Sequence, residues 1–305
     1  MRQFLCAWDG GGTKTEVILE GTDREVRRFG PLNLNGNSRE QVRDTVAHSL
    51  QFMKDQSGGL DHIAALVIGT AGTSNTDMTA FLTDLVREYG FSGPMTIVGD
   101  HETAMEGAIR GSGCVLVSGT GSVCNGRNLE TGKTARSGGF GYLIDDEGSG
   151  YAIARDILRA VVRMEDGRGP HTCFRQMVFD ELGLKSIQEL ITWLYAPGNG
   201  KQSIAHLGRL LPEGLRTGDA CAHEIAENAA QELSEMCINT WKHLHLTRGE
   251  TALVGSVVEG TSLIRTSLEA KLLAAFPDMQ IHNALAGPAE GALIMARHLA
   301  EREGV

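Results

Sequence analysis

Residues 9–15 read Asp9-Gly10-Gly11-Gly12-Thr13-Lys14-Thr15, and the rest of the chain is organised around this stretch. The stretch follows a short apolar segment, 4–8, and precedes a β-type segment, 15–20. A strand, a glycine-rich turn and a second strand make a hairpin, unlike the strand-to-helix turn of a P-loop. Glycines let backbone N–H groups come close to a bound group, which is commonly phosphate. Asp9 could face a metal ion on that phosphate, but a plain hairpin with Asp9 capping the turn explains the residues equally well.

The composition is that of a soluble globular protein long enough for two domains. The chain has 305 residues, of which 41% are hydrophobic and 22% are charged. A net charge of −10 argues against non-specific binding to nucleic acid or to an anionic membrane, although backbone N–H groups and Mg²⁺ can still hold an anion. An acid at position 9 comes too early for a signal-peptide core, and no stretch reaches the ~20 apolar residues of a membrane span. We therefore expect a cytoplasmic protein with no nucleic-acid or membrane partner.

The six cysteines also indicate a reducing compartment. They stand at positions 6, 114, 124, 173, 221 and 237, and none forms a Cys-x-x-Cys pair. This spacing disfavours zinc or iron–sulfur ligation. Cys6 and Cys114 lie in apolar strand-like runs, so we expect buried free thiols there.

Strand and helix patterns alternate along the chain, which favours an α/β fold. Buried strands are predicted at 63–68, 95–98, 114–118, 251–254 and 279–282. Helices are predicted at 39–53, 78–89, 103–109, 151–162, 220–245, 263–276 and 289–300. The strand at 114–118 runs into a second glycine turn, 119–122, which repeats the opening pattern and indicates two related domains with a ligand cleft between them. Residues 165–220 mix helix and loop and carry little further information.

Several common catalytic signatures are absent from the sequence. It contains no G-x-x-x-x-G-K-[ST], no G-x-S-x-G and no H-E-x-x-H, and no G-x-G-x-x-G follows a strand. What it does contain are glycine turns after strands at 10–13, 119–122 and 255–256, and acids at strand ends, Asp9, Asp100 and Asp146. Phosphoryl transfer uses such parts, because glycine-rich backbone holds phosphates and a separate carboxylate deprotonates the acceptor hydroxyl.

Taken in order, these motifs resemble the N-acetylglucosamine and glucosamine kinase branch of the BadF/BadG/BcrA/BcrD ATPase family, within the actin, heat-shock chaperone and sugar-kinase superfamily. The matching segments cover nearly the whole chain, in family order: 9–13, 30–33, 69–72, 99–104, 118–122, 138–141, 146–150, 254–257 and 289–292. The resemblance implies an α/β protein with two ribonuclease H-like (actin-like ATPase) domains and an interdomain cleft that binds ATP. The first domain would comprise 1–112 joined by the C-terminal helix 289–305, and the second 113–288.

The resemblance also implies a nucleotide site and a metal site. Asp9 would hold Mg²⁺ through water. Two turns would cradle the phosphates of ATP: Gly10, Gly11, Gly12, Thr13 and Lys14 in the first, and Gly119, Thr120, Gly121 and Ser122 in the second. Gly255 and Ser256 would lie near the adenosine.

The implied reaction is transfer of phosphate from ATP to the 6-hydroxyl of an amino sugar, N-acetylglucosamine or glucosamine. Asp100 would be the base that takes the hydroxyl proton. The sugar would be contacted by Asn33, Gly72, Asp100, Gly139 and Asp146. By the same resemblance the protein would be a homodimer, with the amino sugar as its small-molecule partner.

The residues themselves leave several alternatives open. Asp100 could cap a helix that begins at Thr103, and Glu102 could be the base instead. Asn35 is a second candidate for the sugar contact assigned to Asn33. Plain structural roles are also possible: a turn for Asn33, a solvated loop for Asp146, the surface for Lys14 and a strand end for Gly255.

The sequence also leaves the sugar and the activity class open. Val123 stands where N-acetylglucosamine kinases of the animal type carry Asn, and 70–72 and 169–172 resemble bacterial glucosamine kinases, whereas 138–150 is closer to the N-acetyl type. One alternative is an ATPase that activates a partner dehydratase through a bridging iron–sulfur cluster, against which the scattered cysteines argue. Another is a non-catalytic sugar-binding regulator. Such regulators usually carry an added DNA-binding segment, which we do not expect because the first predicted strand begins close to Met1.

Overall fold

The computed structural model describes residues 4–34, 36–73 and 76–304. It divides the chain into two compact units. Unit 1 comprises Met1–Arg110 and Ala284–Val305, and unit 2 comprises Gly111–Asn283. In the described ranges, no helix combines the length and the apolar character that a bilayer span requires.

Each unit contains a five-stranded mixed sheet. The strands of unit 1 are β1 (Phe4–Gly10), β2 (Thr15–Glu20), β3 (Arg24–Phe29), β4 (Ile63–Thr70) and β5 (Met95–Gly99), in the order β3-β2-β1-β4-β5. Those of unit 2 are β6 (Gly113–Ser118), β7 (Ser122–Asn128), β8 (Lys133–Gly138), β9 (Gly249–Val254) and β10 (Met279–Asn283), in the order β10-β9-β6-β7-β8. In both sheets the first three strands are antiparallel and the other two join in parallel. The predicted α/β class with two ribonuclease H-like domains is thereby confirmed.

Helices cover these sheets in the alternating order that the sequence predicts. Their bounds are α1 (Arg39–Ser57), α2 (Thr76–Glu88), α3 (Asp100–Ala108), α4 (Gly150–Glu165), α5 (Phe174–Leu182), α6 (Ile187–Leu194), α7 (Lys201–Ala205), α8 (Leu211–Arg216), α9 (Ala220–His243), α10 (Ser256–Gly260), α11 (Ser262–Ala275) and α12 (Pro288–Glu303). Short 3₁₀ helices occur at Leu60–His62 and His206–Leu210. The start predicted for the third helix, Thr103, was wrong: α3 begins at Asp100, directly after β5.

The two faces of the unit 1 sheet pack into separate apolar clusters because successive side chains of a strand point to opposite faces. Trp8 of β1 lies in one cluster with residues of α1 and α2. Ala7, its neighbour, lies in the other with Ala292 and Leu293 of α12. In unit 2, strands β6 and β7 pack against the long helix α9 in one large core. These cores hold the carboxyl ends of the central strands in place.

The edge strands β3 and β8 were not predicted from the sequence. Five of the six residues of β3, Arg24–Arg28, are solvent-exposed, and so are three of the six residues of β8. An edge strand pairs on one side only and commonly carries charged residues that block association with other strands. These strands therefore lack the apolar run that reveals a buried strand.

Helix α3, which carries Asp100, is held by close contact with α12. A Cβ atom at Gly291 of α12 would overlap the backbone of α3 at Thr103 and Gly107. Glycine at this crossing therefore lets the two helix backbones approach more closely than any other residue would allow.

Candidate functional site

In unit 1, the registers of three parallel strands bring the predicted motifs to one edge of the sheet. Gly10 of β1 is paired with Thr70 of β4, and Thr70 is paired with Gly99 of β5. Asp9, Gly72 and Asp100 follow or end these strands, so all three belong to the same carboxyl edge. This edge is where ligands bind in open α/β sheets.

The glycine turn between β1 and β2 is the hairpin that the sequence predicts, and this prediction is confirmed. The N–H of Gly11 donates to the carbonyl oxygen of Lys14 at 2.9 Å, which closes the turn. Gly12, Thr13 and Lys14 are exposed at its tip. Gly10 is buried instead, and a Cβ atom there would overlap the side chain of Leu32. Packing against Leu32 thus requires glycine at position 10, whereas the tip leaves backbone groups accessible to a ligand.

Asp9 lies in a group of acidic side chains. It lines a cavity of about 640 Å³ in unit 1, together with Lys14, Glu16 and residues 286–290 at the start of α12. Burial raises the pKa of Asp9, the charges of Asp100 and Glu16 raise it further, and Lys14 partly opposes the shift. A cation would relieve this concentration of negative charge, and carboxylate oxygen is a ligand that Mg²⁺ prefers. Asp9 therefore fits the metal role that the family resemblance implies.

Asp9→Asn should make the protein more stable and less active. An acid whose pKa is raised by folding binds its proton more tightly in the native state, so stability falls as pH rises from the ordinary value of 3.8 through the raised pKa. Without Mg²⁺ or nucleotide, we expect the variant to melt a few degrees above wild type at pH 7, with a smaller difference at pH 4. Its turnover with Mg²⁺ and ATP should fall. Asp23 is exposed, so Asp23→Asn is the matched control and should change neither the melting temperature nor the turnover. If Asp9→Asn is no more stable than wild type, the argument from charge is contradicted.

Asp100 and Glu102 have different environments on the same helix. Glu102 Oε1 accepts the N–H of Gly99 at 3.0 Å and so caps the start of α3. Asp100 is the first residue of α3, its Oδ1 accepts the N–H of His101 at 2.9 Å, and 55% of its side chain is exposed. Gly99, not Asp100, is the N-cap residue. Glu102 is thus engaged in the fold, whereas the Asp100 carboxylate is accessible.

Apart from Asp100 on α3, the predicted sugar-contact residues of unit 1 lie on two loops. Asn33 is buried, and its side-chain amide lies 3.6 Å from where a Cβ atom of Gly12 would be. The side chain of Asn37 fastens this loop to the hairpin by donating to the carbonyl oxygens of Gly12 at 2.9 Å and Asn33 at 3.0 Å. Gly72 is exposed in the loop after β4. The alternative sugar contact, Asn35, lies outside the described residues.

In unit 2, a cavity of about 370 Å³ joins the second and third glycine turns. Gly119 and Thr120 line it from the turn after β6, and Ser256 lines it from the start of α10. The remaining walls come from Gly150, Ile153, Gln202, Ala205, His206, Gly208, Arg209, Pro212, Val257, Gly260 and Thr261. The six wall residues between 202 and 212 were missed, because residues 165–220 mix helix and loop and their sequence carries little further information.

Hydrogen bonds hold the second glycine turn against the acidic loop that follows β8. The hydroxyl of Ser118 donates to the carbonyl oxygen of Gly148 at 2.8 Å, and that of Ser122 donates to the carbonyl oxygen of Glu147 at 2.7 Å. The N–H of Gly150 donates to the carbonyl oxygen of Gly119 at 2.7 Å. The hydroxyl of Ser122 is therefore engaged in the fold, so this turn offers a phosphate its backbone groups and the side chain of Thr120.

The predicted sugar-contact residues of unit 2 flank this turn. Asp146 is buried, has a φ of +62°, and forms an ion pair of 2.6 Å with Lys201. A Cβ atom at Gly139 would lie 2.9 Å from Cβ of Val123. Val123, the residue that departs from the animal-type pattern, thus lies against the predicted sugar loop.

The structure divides the predicted site residues between the two units, with one group in each. In unit 1 the group comprises Asp9, Gly10, Gly11, Gly12, Thr13, Lys14, Asn33, Gly72 and Asp100. In unit 2 it comprises Gly119, Thr120, Gly121, Ser122, Gly139, Asp146, Gly255 and Ser256. Lys201, next to Asp146, was not predicted, and nothing in its local sequence marks it.

Comparison with known proteins identifies sugar kinases as relatives. The model of the BadF/BadG/BcrA/BcrD ATPase family matches residues 8–296. An N-acetylmuramic acid/N-acetylglucosamine kinase of Clostridium acetobutylicum is 32% identical over 97% of this chain and 98% of its own length. An N-acetyl-D-glucosamine kinase of Dictyostelium discoideum is 28% identical over 97% of this chain and 98% of its own length. Among solved structures, a ROK hexokinase of Thermus thermophilus matches with a TM-score of 0.62 and 15% identity over 99% of this chain and 100% of that one, and so shares the fold.

Proposed function

The chain belongs to the BadF/BadG/BcrA/BcrD ATPase family, and from this premise we propose that it is an ATP-dependent kinase of amino sugars that forms the 6-phosphate. The observation that carries the proposal is the unit 2 cavity, in which Gly119, Thr120 and Ser256 lie together. Gly150, the first residue of the 16-residue helix α4, lines the same cavity. The positive end of the α4 dipole favours an anionic ligand there, which supports a nucleoside triphosphate.

The roles proposed for the acids come from the family resemblance and are supported by their surroundings. Asp9 would hold Mg²⁺ through water, and the ion would neutralise charge on the β- and γ-phosphates. Asp100 would accept the proton of the sugar 6-hydroxyl as that oxygen forms its bond to the γ-phosphorus and the bond from phosphorus to the bridging oxygen of ADP breaks. The accessible carboxylate of Asp100, together with the engagement of Glu102 as a helix cap, supports this choice of base. Asn33, Gly72, Gly139 and Asp146 would contact the sugar. We further propose that the protein is a cytoplasmic homodimer.

The alternative of an iron–sulfur activator finds no support in the cysteines. Five of the six are buried, and Cys173 is partly exposed. A cluster shared between two subunits needs thiolates at a surface, which buried core thiols do not provide.

A coupled assay of ADP release across a panel of sugars tests the proposed function. We expect turnover with N-acetylglucosamine, glucosamine or N-acetylmuramic acid, and none with the 6-deoxy analogue of the preferred sugar, because that analogue lacks the accepting hydroxyl. Mass spectrometry and NMR of the product should place the phosphate on oxygen 6. ADP release that no amino sugar stimulates would overturn the proposal.

A further inference from the structure

Lys201 forms an ion pair with a buried acid of the proposed sugar site. Its Nζ lies 2.6 Å from Oδ2 of Asp146, whose side chain is 5% exposed, while the side chain of Lys201 is 29% exposed. A carboxylate removed from water needs a charged or hydrogen-bonding partner. Among the described residues, no side chain other than Lys201 hydrogen-bonds to the Asp146 carboxylate, and Oδ1 accepts no hydrogen bond there.

The ion pair packs directly against the second glycine turn. A Cβ atom at Gly121 would lie 2.9 Å from Oδ2 of Asp146 and 2.9 Å from Nζ of Lys201. The Lys201 ammonium also lies 5.7 Å from the ring centroid of Tyr142, in the same loop as Asp146. The glycine turn and the lysine ammonium therefore both lie against the same carboxylate oxygen, Oδ2.

The backbone that carries Lys201 belongs to the wall of the proposed nucleotide cavity. Helix α7 begins at Lys201, and the following 3₁₀ helix, His206–Leu210, lines the cavity. A Cβ atom at Gly208 would lie 2.6 Å from the carbonyl oxygen of Gly150, so this segment packs closely on the start of α4. The segment that begins at Lys201 thus forms part of the cavity wall, while the side chain of Lys201 binds Asp146.

We propose that Lys201 is a positioning residue for the sugar. By binding Oδ2 it holds the Asp146 carboxylate in one orientation and leaves Oδ1 to accept hydrogen bonds from substrate hydroxyls. This inference rests on the proposed function, and specifically on Asp146 as a sugar contact. Because Lys201 acts through Asp146, its loss should weaken sugar binding and leave ATP binding nearly unchanged.

The test compares Lys201→Met, Lys201→Arg, Asp146→Asn and the double variant Lys201→Met/Asp146→Asn. We expect Lys201→Met to raise KM for the sugar about 10- to 100-fold, the size of one lost hydrogen bond to a charged group. KM for ATP should change less than about threefold, and Lys201→Arg should restore part of the sugar affinity because it keeps the charge. In the double variant, Lys201→Met should add nothing to the effect of Asp146→Asn, since residues that act through one another are not additive. Lys185→Met, an exposed lysine of the same unit, is the matched control.

Calorimetric titration of sugar in the absence of ATP measures the same effect without turnover. Thermal unfolding shows whether Lys201→Met is folded, and the double variant, which leaves no unpaired buried charge, tests the coupling even if the single variant is unstable. A rise in KM for ATP equal to that for the sugar, or additive effects in the double variant, would overturn the inference while leaving the kinase proposal intact. A wild-type protein that neither binds nor phosphorylates any amino sugar would overturn both.

Discussion

Asp100→Asn is expected to lower kcat by about 10²–10⁴-fold, the usual contribution of a general base. The change should leave α3 intact, because Glu102 still caps the helix and the Asn side-chain oxygen can still accept the N–H of His101. KM for the sugar should change far less than kcat, because the proton is taken up only as the new bond forms. Steady-state kinetics across the preferred sugar and ATP provide the measurement.

Glu102→Gln is the matched control for Asp100→Asn. Gln can still accept the N–H of Gly99, so we expect kcat to fall only a few-fold. Near-normal turnover of Asp100→Asn, combined with a large loss in Glu102→Gln, would make Glu102 the base. Near-normal turnover in both variants would show that no acid at the start of α3 accepts the proton.

Gly255→Ala should lower kcat/KM for ATP by about 10²-fold, since a displacement of about 1 Å in a positioning element can cost this much. Gly255 has a φ of +110°, in the region that L-residues other than glycine rarely adopt. A Cβ atom there would also overlap the carbonyl oxygen of Ser118, at the entry to the second glycine turn. The substitution must therefore move the third turn away from the second, and both turns meet at the nucleotide cavity. Titration with a non-hydrolysable ATP analogue measures the loss directly.

Gly260→Ala is the control for Gly255→Ala. Gly260 lines the same cavity at the other end of α10 and has no positive φ. Among the described residues, none beyond its own helix and chain neighbours has an atom within 4 Å of where a Cβ at Gly260 would be. We expect its ATP affinity to stay within a few-fold of wild type. Equal affinity for the analogue in both variants would mean that the contact between the two turns does not shape the nucleotide site.

The central strands could be predicted from the sequence because each is a run of apolar residues buried by sheet and helices. β4, for example, is buried at all eight of its residues and was predicted almost to its bounds. The edge strands β3 and β8 could not be predicted in this way, because exposure on a sheet edge removes the apolar pattern. The start of α3 was placed three residues late because Gly99-Asp100-His101 carries a loop-like composition.

The candidate site likewise contains features that the sequence predicts and features that only the structure shows. The glycine turns and strand-end acids are local patterns, so the sequence predicts them as candidates, and their order along the chain indicates the family that the comparison confirms. Between Asp100 and Glu102 the sequence left the choice open. In the structure Glu102 accepts a hydrogen bond that caps the helix, and this supports the proposal of Asp100 as the base.

The sequence by itself determined the α/β class, the hairpin at residues 9–15 and membership of the family, because these depend on local residue patterns and on the order of those patterns along the chain. Tertiary structure alone decided which distant residues lie beside the predicted site residues. It brought Lys201 to Asp146 across 55 positions and placed six residues on the wall of the unit 2 cavity: Gln202, Ala205, His206, Gly208, Arg209 and Pro212. It also gathered Cys114, Cys124 and Cys237 in the core, with their sulfur atoms within 4.8 Å of one another. Their positions along the sequence form no Cys-x-x-Cys pair that would indicate this. Contacts between distant positions arise from the packing of whole elements, and no local pattern records them.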